Sequence, residues 1–220
     1  MSFFNDVAAV WVKYNAQILG GVGNTMLIAI VGTLIGLLIG LLNGIIRTIP
    51  QVKNKVGAAL MKVVNFLITA YVEVFRGTPM MVQAMIIFWG YAYANGGKQL
   101  ALIPAGIAIV SINTGAYITE IVRGGIISID KGQFEGAASI GMSHFQTMIY
   151  VVIPQALRNI LPSVSNEFVV NIKDTSVLNV IGVAELFYYT AMAAKNSYKI
   201  FASYVIALSL IHISEPTRRV

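Results

Sequence analysis

The sequence contains no cysteine, only two histidines, and few charged residues, 11% of its 220 positions. Without cysteine there are no disulfides, no thiolate metal sites and no cysteine nucleophile. His144 and His212 stand too far apart in sequence to suggest a metal pair. Soluble domains carry about 25% charged residues, so the scarcity of charge excludes an ordinary soluble protein. The phosphate-cradling pattern G-x-x-x-x-G-K-[ST] is also missing. The nearest approach, Gly96-Gly97-Lys98, lacks the first glycine and the Ser/Thr. No catalytic or metal-ligating cluster is expected, and no cofactor in this chain. The opening residues carry Asp6 and lack the basic start and short apolar core of a cleaved signal peptide.

What is present is apolar sequence: 57% hydrophobic residues, with a mean hydropathy of +0.76. Residues 24–46, 77–97 and 99–119 are free of charge, and each reaches the roughly 20 residues a helix needs to cross the hydrocarbon core. The short alternating segments of an outer-membrane barrel are absent. The expected fold is therefore all-α, an integral membrane helical bundle forming a single domain over residues 1–220. Residues 1–22, with Phe3, Phe4, Trp11 and Tyr14, suit an interfacial segment at headgroup level.

The first span carries Gly32, Gly36, Gly40 and Gly44. A spacing of four puts them on one helical face, where a second helix can approach closely. Packing within the subunit is preferred over a dimer seam. Residues 58–75 are ambiguous, because Lys62 and Glu73 leave only 63–72 free of charge. In the following Phe-Arg-Gly-Thr-Pro, Gly77 suits a C-cap, Thr78 an N-cap and Pro79 the first position of a new helix. One helix is expected to stop here and another to run over 79–93. The two are treated as one crossing. Further spans are expected over 101–120, beyond Asn159, and over 197–213.

Residues 135–157 are an anomaly. They are long enough to span, yet crowded with small and polar residues and hinged by Pro154. If they stay out of the membrane there are five crossings. Arg47, Lys53, Lys55, Lys62, Arg76, Arg123, Lys131, Arg158, Arg218 and Arg219 then share one side. Lys13, Lys98, Lys195 and Lys199 take the other, with Lys173 inside a span, which accounts for all 15 basic residues. The positive-inside rule places the ten in the cytoplasm. The N-terminus is then outside and the C-terminus cytoplasmic. The overall charge of +6 is read as this asymmetry, not as an affinity for nucleic acid.

Glu135, Gly136, Ala137, Ala138, then Gly141, then Val151, Val152, Ile153 and Pro154 resemble the EAA loop of ABC-importer permeases. Gly136 replaces the first alanine of that pattern, and Val/Ile replace Ile/Leu. The flanking residues 116–143, 152–186 and 75–83 are similar to the polar amino-acid subfamily, and the resemblance runs from about Gly20 to about Leu208. It implies a transmembrane permease subunit of an ATP-driven importer of amino acids in the bacterial inner membrane. It further implies a second permease subunit, identical or related, an external substrate-binding protein, and a dimer of ATPase subunits that bind the ATP and Mg. Residues 131–157 become the cytoplasmic coupling loop, with Glu135, Gly136, Ala137, Ala138, Gly141, Met142 and Pro154 as its coupling residues. Gly141 is expected at a turn. Ala138 and Met142, four apart, are expected to offer one apolar edge to an ATPase groove. A buried, alanine-rich packing helix is the competing reading of composition alone. The tail, residues 209–220, departs from the family pattern.

In the span beyond Asn159, Ser163, Asn166, Glu167, Asn171, Lys173 and Asp174 fall within an arc of roughly 160° at 100° per residue. Ionisable groups at bilayer depth face a bundle interior, a water-filled cavity or each other. For a zwitterionic amino acid, Glu167 or Asp174 could meet the ammonium, and Asn166, Asn171 or Lys173 the carboxylate. The alternative for Lys173 and Asp174 is architectural pairing with other helices. Arg76, Glu120 and Arg123, near span ends, are read as snorkelling or interhelical ion pairs. The alternative function is a self-sufficient channel or secondary transporter using Glu167, Lys173 and Asp174 as an ion relay. Such folds usually contain internal repeats, and none is found.

Overall fold

Uncharged apolar sequence leaves the backbone no water to bond with, so it satisfies its own polar groups as helix. The computed structural model of the chain describes residues 2–50 and 54–214 and contains no strand among them. Lys53, Arg218 and Arg219, used in the charge count above, lie outside the described residues, as does most of the tail.

Helix α1 (Phe3–Ile46) runs unbroken for 44 residues, about 66 Å, so residues 1–22 are not a separate interfacial element as expected. Helix α2 (Lys55–Gly77) starts on Asn54, whose side chain accepts from the Val56 N–H, and ends with Thr78 as its C-cap. Thr78 Oγ1 donates to the Val74 carbonyl at 2.7 Å, so its hydroxyl closes the helix it follows. Helix α3 (Met80–Ala94) follows, then α4 (Leu102–Ile127) and α5 (Lys131–Ser139). The short α6 (His144–Thr147) leads through a π-turn, Met148–Val152, into α7 (Ile153–Asp174). A 3-10 segment, Thr175–Ile181, precedes α8 (Leu186–Ser197) and α9 (Ile200–Ser214).

Among the described residues, α1, α2 and α4 are each long and apolar enough to cross a membrane. Lys62 and Glu73 therefore do not shorten α2 below a span. The helical run 144–181 with α8 qualifies together as a broken fourth, and α3 and α9 are shorter apolar helices. Of the expected crossings, the first corresponds to α1, the second to α2, which is long enough without α3, the third to α4, the one beyond Asn159 to α7 and its 3-10 segment, and the last to α9. The last starts three residues later than expected, at Ile200.

The chain forms two compact units. The first gathers 1–32, 80–110 and 168–220. One of its cores joins Ile28, Phe88, Ile109, Leu178 and Val183, and another joins Val10, Tyr14, Ile18, Leu186, Ala202 and Ile206. An ion pair, Lys199 to Asp6 at 2.7 Å, ties the start of α1 to the α8–α9 turn. The second unit gathers 33–79 and 111–167. Its core joins Ile118, Val122 and Ile126 of α4 with Met148, Val152, Ala156 and Ile160 of the π-turn and α7.

The glycine row of α1 packs within the subunit, on a row of α4 that is also spaced by four. In the first unit, a Cβ on Gly32 would sit 2.6 Å from Val110 Cγ1. In the second, Gly36 faces Thr114, Gly40 faces Ile118 and Gly44 faces Val122, each with a hypothetical Cβ at 2.5–2.8 Å. Only hydrogen fits at these four places, which is the close approach small residues permit.

Candidate functional site

The segment 131–157 is not one helix. Asp130 caps α5, its Oδ1 accepting from the Gly132 N–H at 2.7 Å. The helix stops after nine residues because Gly141 adopts φ +81°, a left-handed conformation that favours glycine. Two hydrogen bonds close the end, Gly141 N–H to the Ala138 carbonyl and Met142 N–H to the Ala137 carbonyl, at 3.0 and 3.1 Å. This is a Schellman termination. Ser143 then starts α6 with a capping box: its Oγ accepts from Gln146 N–H, and Gln146 Oε1 accepts from Ser143 N–H. Beyond it the Ile153 N–H reaches back five residues to the Met148 carbonyl. This wide turn directly precedes Pro154, which has no N–H to donate. Gln155 Nε2 donates to Gln133 Oε1 at 3.1 Å, holding α5 against the start of α7.

Gly141 thus occupies the expected turn. Glu135, Gly136, Ala138 and Pro154 are exposed, Met142 is half-buried, and Ala137 is buried at 5% exposure. Ala137 faces inward. The shared edge expected of Ala138 and Met142 is corrected. Because α5 ends at Ser139, Met142 lies beyond the turn and the i,i+4 relation does not reach it. Two large apolar side chains flank Gly141 in the open instead, Ile140 at 78% and Phe145 at 73% exposure. Neither was among the residues expected to couple. The signal was available: an apolar residue on each side of a glycine turn in a short polar-start helix has no core to enter.

In α7, Asn166 and Glu167 belong to the second unit, Asn171, Lys173 and Asp174 to the first. Asn166 and Lys173 are exposed, Glu167 and Asp174 half-buried, and Asn171 buried. Ile172, between Asn171 and Lys173, is buried.

Arg47, Glu120 and Arg123 form one ion cluster in the second unit. Arg47 Nη1 pairs with Glu120 Oε1 across α1 and α4. Arg123, one turn further along α4, donates twice to Glu120 Oε2, at 3.0 and 2.8 Å. Arg76 lies over the Tyr117 ring, 5.4 Å from its centroid. Nearby, Tyr71 Oη donates to the Ile112 carbonyl, so α2 is pinned to α4 by polar contacts.

Glu185 was not anticipated. It is buried, at 1% exposure, and caps α8 by accepting from Phe187 N–H and Tyr188 N–H at 2.8 and 2.7 Å. Around it, Asn24 Nδ2 donates to the Ala184 carbonyl and Thr25 Oγ1 accepts from Leu186 N–H. A Cβ at Gly21 would come within 2.9 Å of the Glu185 carbonyl. Val-Ala-Glu-Leu before an aromatic run reads as a helix start, but its burial depends on α1, 160 residues away.

Residues 56–214 match the family model for the binding-protein-dependent transport system inner membrane component. The chain is 42% identical over 124 residues to the glutamine transport system permease protein GlnP of Escherichia coli (strain K12), covering 56% of this chain and 57% of that protein. It is 40% identical over 144 residues to the L-cystine transport system permease protein TcyB of Bacillus subtilis (strain 168), covering 65% and 61%. The chain thus spans less than two thirds of the length of these curated relatives. Among solved structures, an amino acid ABC transporter crystallised with histidines matches with a TM-score of 0.82 at 32% identity, covering 97% of this chain and 92% of that one. The MetNI methionine ABC transporter, in an inward-facing form, matches with a TM-score of 0.69 at 18% identity, covering 90% of each. At that identity the likeness shows the fold.

Proposed function

Since the chain belongs to the family of binding-protein-dependent transport system inner membrane components, we propose that it is the permease subunit of an ATP-driven importer of polar amino acids. It forms half of the translocation path, with a second permease subunit completing it. An ATPase dimer binds and hydrolyses ATP with Mg beside residues 131–157, on the cytoplasmic side, and an external binding protein delivers the substrate. The N-terminus lies outside and the C-terminus inside.

One observation carries the reading: a short capped helix turned at Gly141 displays Ile140 and Phe145 to the outside. Exposed side chains of this size flanking a rigid turn suit insertion into a groove on a partner. The polar face of α7 supports a second subunit. Asn166 is exposed in the single chain, and within a membrane span such a group avoids lipid and faces water or a partner. Amino-acid specificity follows the relatives, whose names point to glutamine and cystine.

Copurification tests the reading. In mild detergent the tagged chain should bring down an ATPase subunit, and the reconstituted complex should take up labelled amino acids only with ATP and a binding protein. A chain that purifies alone and drives uptake from an ion gradient would instead be a secondary transporter.

A further inference from the structure

Helix α2 has three faces. Ile68 and Val72 belong to the buried one. Val56, Leu60, Val63, Leu67 and Val74 form an exposed face that is wholly aliphatic and suits lipid. The third face is of another kind. Ala59, Lys62, Phe66, Thr69, Glu73 and Arg76 follow one another in steps of three and four, the spacing that lines side chains along one side of a helix. All are exposed except Thr69, which is half-buried, and Phe66 is open to 70%.

The charged end of this stripe lies level with the middle of α4. Asn113 Nδ2 donates to the Phe75 carbonyl at 3.4 Å, and Arg76 stands over the Tyr117 ring. Both contacts fall near the midpoint of the 26-residue α4, which is long and apolar enough to cross a membrane. At that level a carboxylate against lipid is costly. Glu73 and Arg76 do not pair with each other, and Glu73 joins no ion pair among the described residues. Lipid would strand Glu73, and a water-filled path would wet Phe66. A protein helix laid along the stripe covers the ring and meets the charges.

The order of the charges selects that helix. Glu73 and Arg76 stand one turn apart with opposite signs. A two-fold contact is self-complementary, with residue i meeting residue j in both directions. Two copies of α2 side by side therefore form the Glu73–Arg76 pair twice. Lys62 lies about 17 Å along the helix from Glu73. Helices that cross at Glu73 part before reaching it, and its long side chain carries the ammonium to water.

We propose that this stripe of α2 is the face on which a second copy of the chain docks, held by reciprocal Glu73–Arg76 pairs across a two-fold axis. The presence of a second subunit rests on the permease function proposed above; the choice of face rests on α2 alone.

Disulfide cross-linking tests it in membranes holding the full complex, since the chain has no cysteine of its own. On mild oxidation Thr69→Cys should give a disulfide-linked homodimer, and Leu60→Cys, on the aliphatic face, should not. In the Thr69→Cys chain, Glu73→Arg should abolish the dimer by bringing only cations together. Glu73→Arg with Arg76→Glu should restore it, because the reversed pair is again self-complementary. Samples are matched by folded monomer. Where the double exchange does not fold, Glu73→Gln decides, lowering the dimer without adding charge. No homodimer from Thr69→Cys, a dimer from Leu60→Cys instead, a cross-link to a chain of different sequence, or a dimer indifferent to Glu73→Arg would each overturn the proposal. A Thr69→Cys chain that stays monomeric yet reacts with a small hydrophilic thiol reagent would make the stripe a wall of the aqueous path instead. No transport is measured, so failure here leaves the permease reading standing, and a failed ATPase copurification would not remove the homodimer.

Discussion

Gly40 of α1 and Ile118 of α4 meet so closely that a Cβ on the glycine would lie 2.5 Å from Ile118 Cγ2. That distance is below any van der Waals contact, and Ile118 is fully buried. The helix row therefore has no room to give, and the two helices approach at the limit set by hydrogen.

Gly40→Val should therefore destabilise the folded chain by about 1–3 kcal/mol or more, the usual cost of overpacking. Gly20→Ala is the control: nothing lies within 4 Å of a Cβ there, and Ala gains roughly 0.5–1 kcal/mol over Gly in a helix. Thermal unfolding in detergent should show the first midpoint falling and the second holding or rising. Equal midpoints would mean that α1 and α4 do not pack in this register.

Glu120→Gln should cost stability, because two arginines lose their charged acceptor in a half-buried setting. Hydrogen bonds to charged groups contribute about 1.5–3 kcal/mol. A lower unfolding midpoint is expected, with ATP-driven uptake falling in proportion to folded protein. Normal stability with lost uptake would move Glu120 from architecture to the substrate path.

At Gly141 the surroundings are open, and the constraint is the backbone. A side chain at φ +81° costs roughly 1–2 kcal/mol, least for Asn. Gly141→Trp should abolish uptake and ATPase copurification while the permease stays folded, and Gly141→Asn should retain much of both. Uptake near the parent level in the Trp variant would remove this turn from coupling.

Orientation is checked with single cysteines at exposed positions in a chain that has none of its own. Ser139→Cys should be shielded from an impermeant thiol reagent added to intact cells. Asn196→Cys, exposed at the end of α8, should react. The reverse pattern would turn the chain over and place the 131–157 segment outside.

Glu167→Gln removes a charge and keeps the shape. If its carboxylate meets the substrate ammonium, about 1.5–3 kcal/mol is lost, or ten- to a hundredfold in affinity. The half-saturation constant for uptake should rise by that factor, with ATPase activity in the absence of substrate little changed. Asp174→Asn, as an architectural change, should lower yield and unfolding midpoint instead. An unaltered uptake curve for Glu167→Gln would take Glu167 off the path.

The amino-acid sequence by itself determined the class and the punctuation. Scarce charge and long apolar runs leave the backbone no choice but helix. The break around Thr78 and the turn at Gly141 follow from residues whose φ, ψ and side-chain bonds act over four or five positions. The short capped helix and turn within 131–157 were legible for the same reason, since their spacing is local. Partners distant along the chain were decided only by the tertiary structure. The glycine row could serve a second subunit or another helix, and it is the matching four-residue row of α4 that takes it. Ala137 and Ala138 are chemically alike, yet one is buried and the other exposed, because α5 rests on the π-turn and α7. Glu120 acquired two arginines, and Glu185 a buried seat beside Gly21, Asn24 and Thr25. Such pairings depend on which surfaces fit once helices are brought together, and that complementarity is a property of packed volumes that no local pattern encodes.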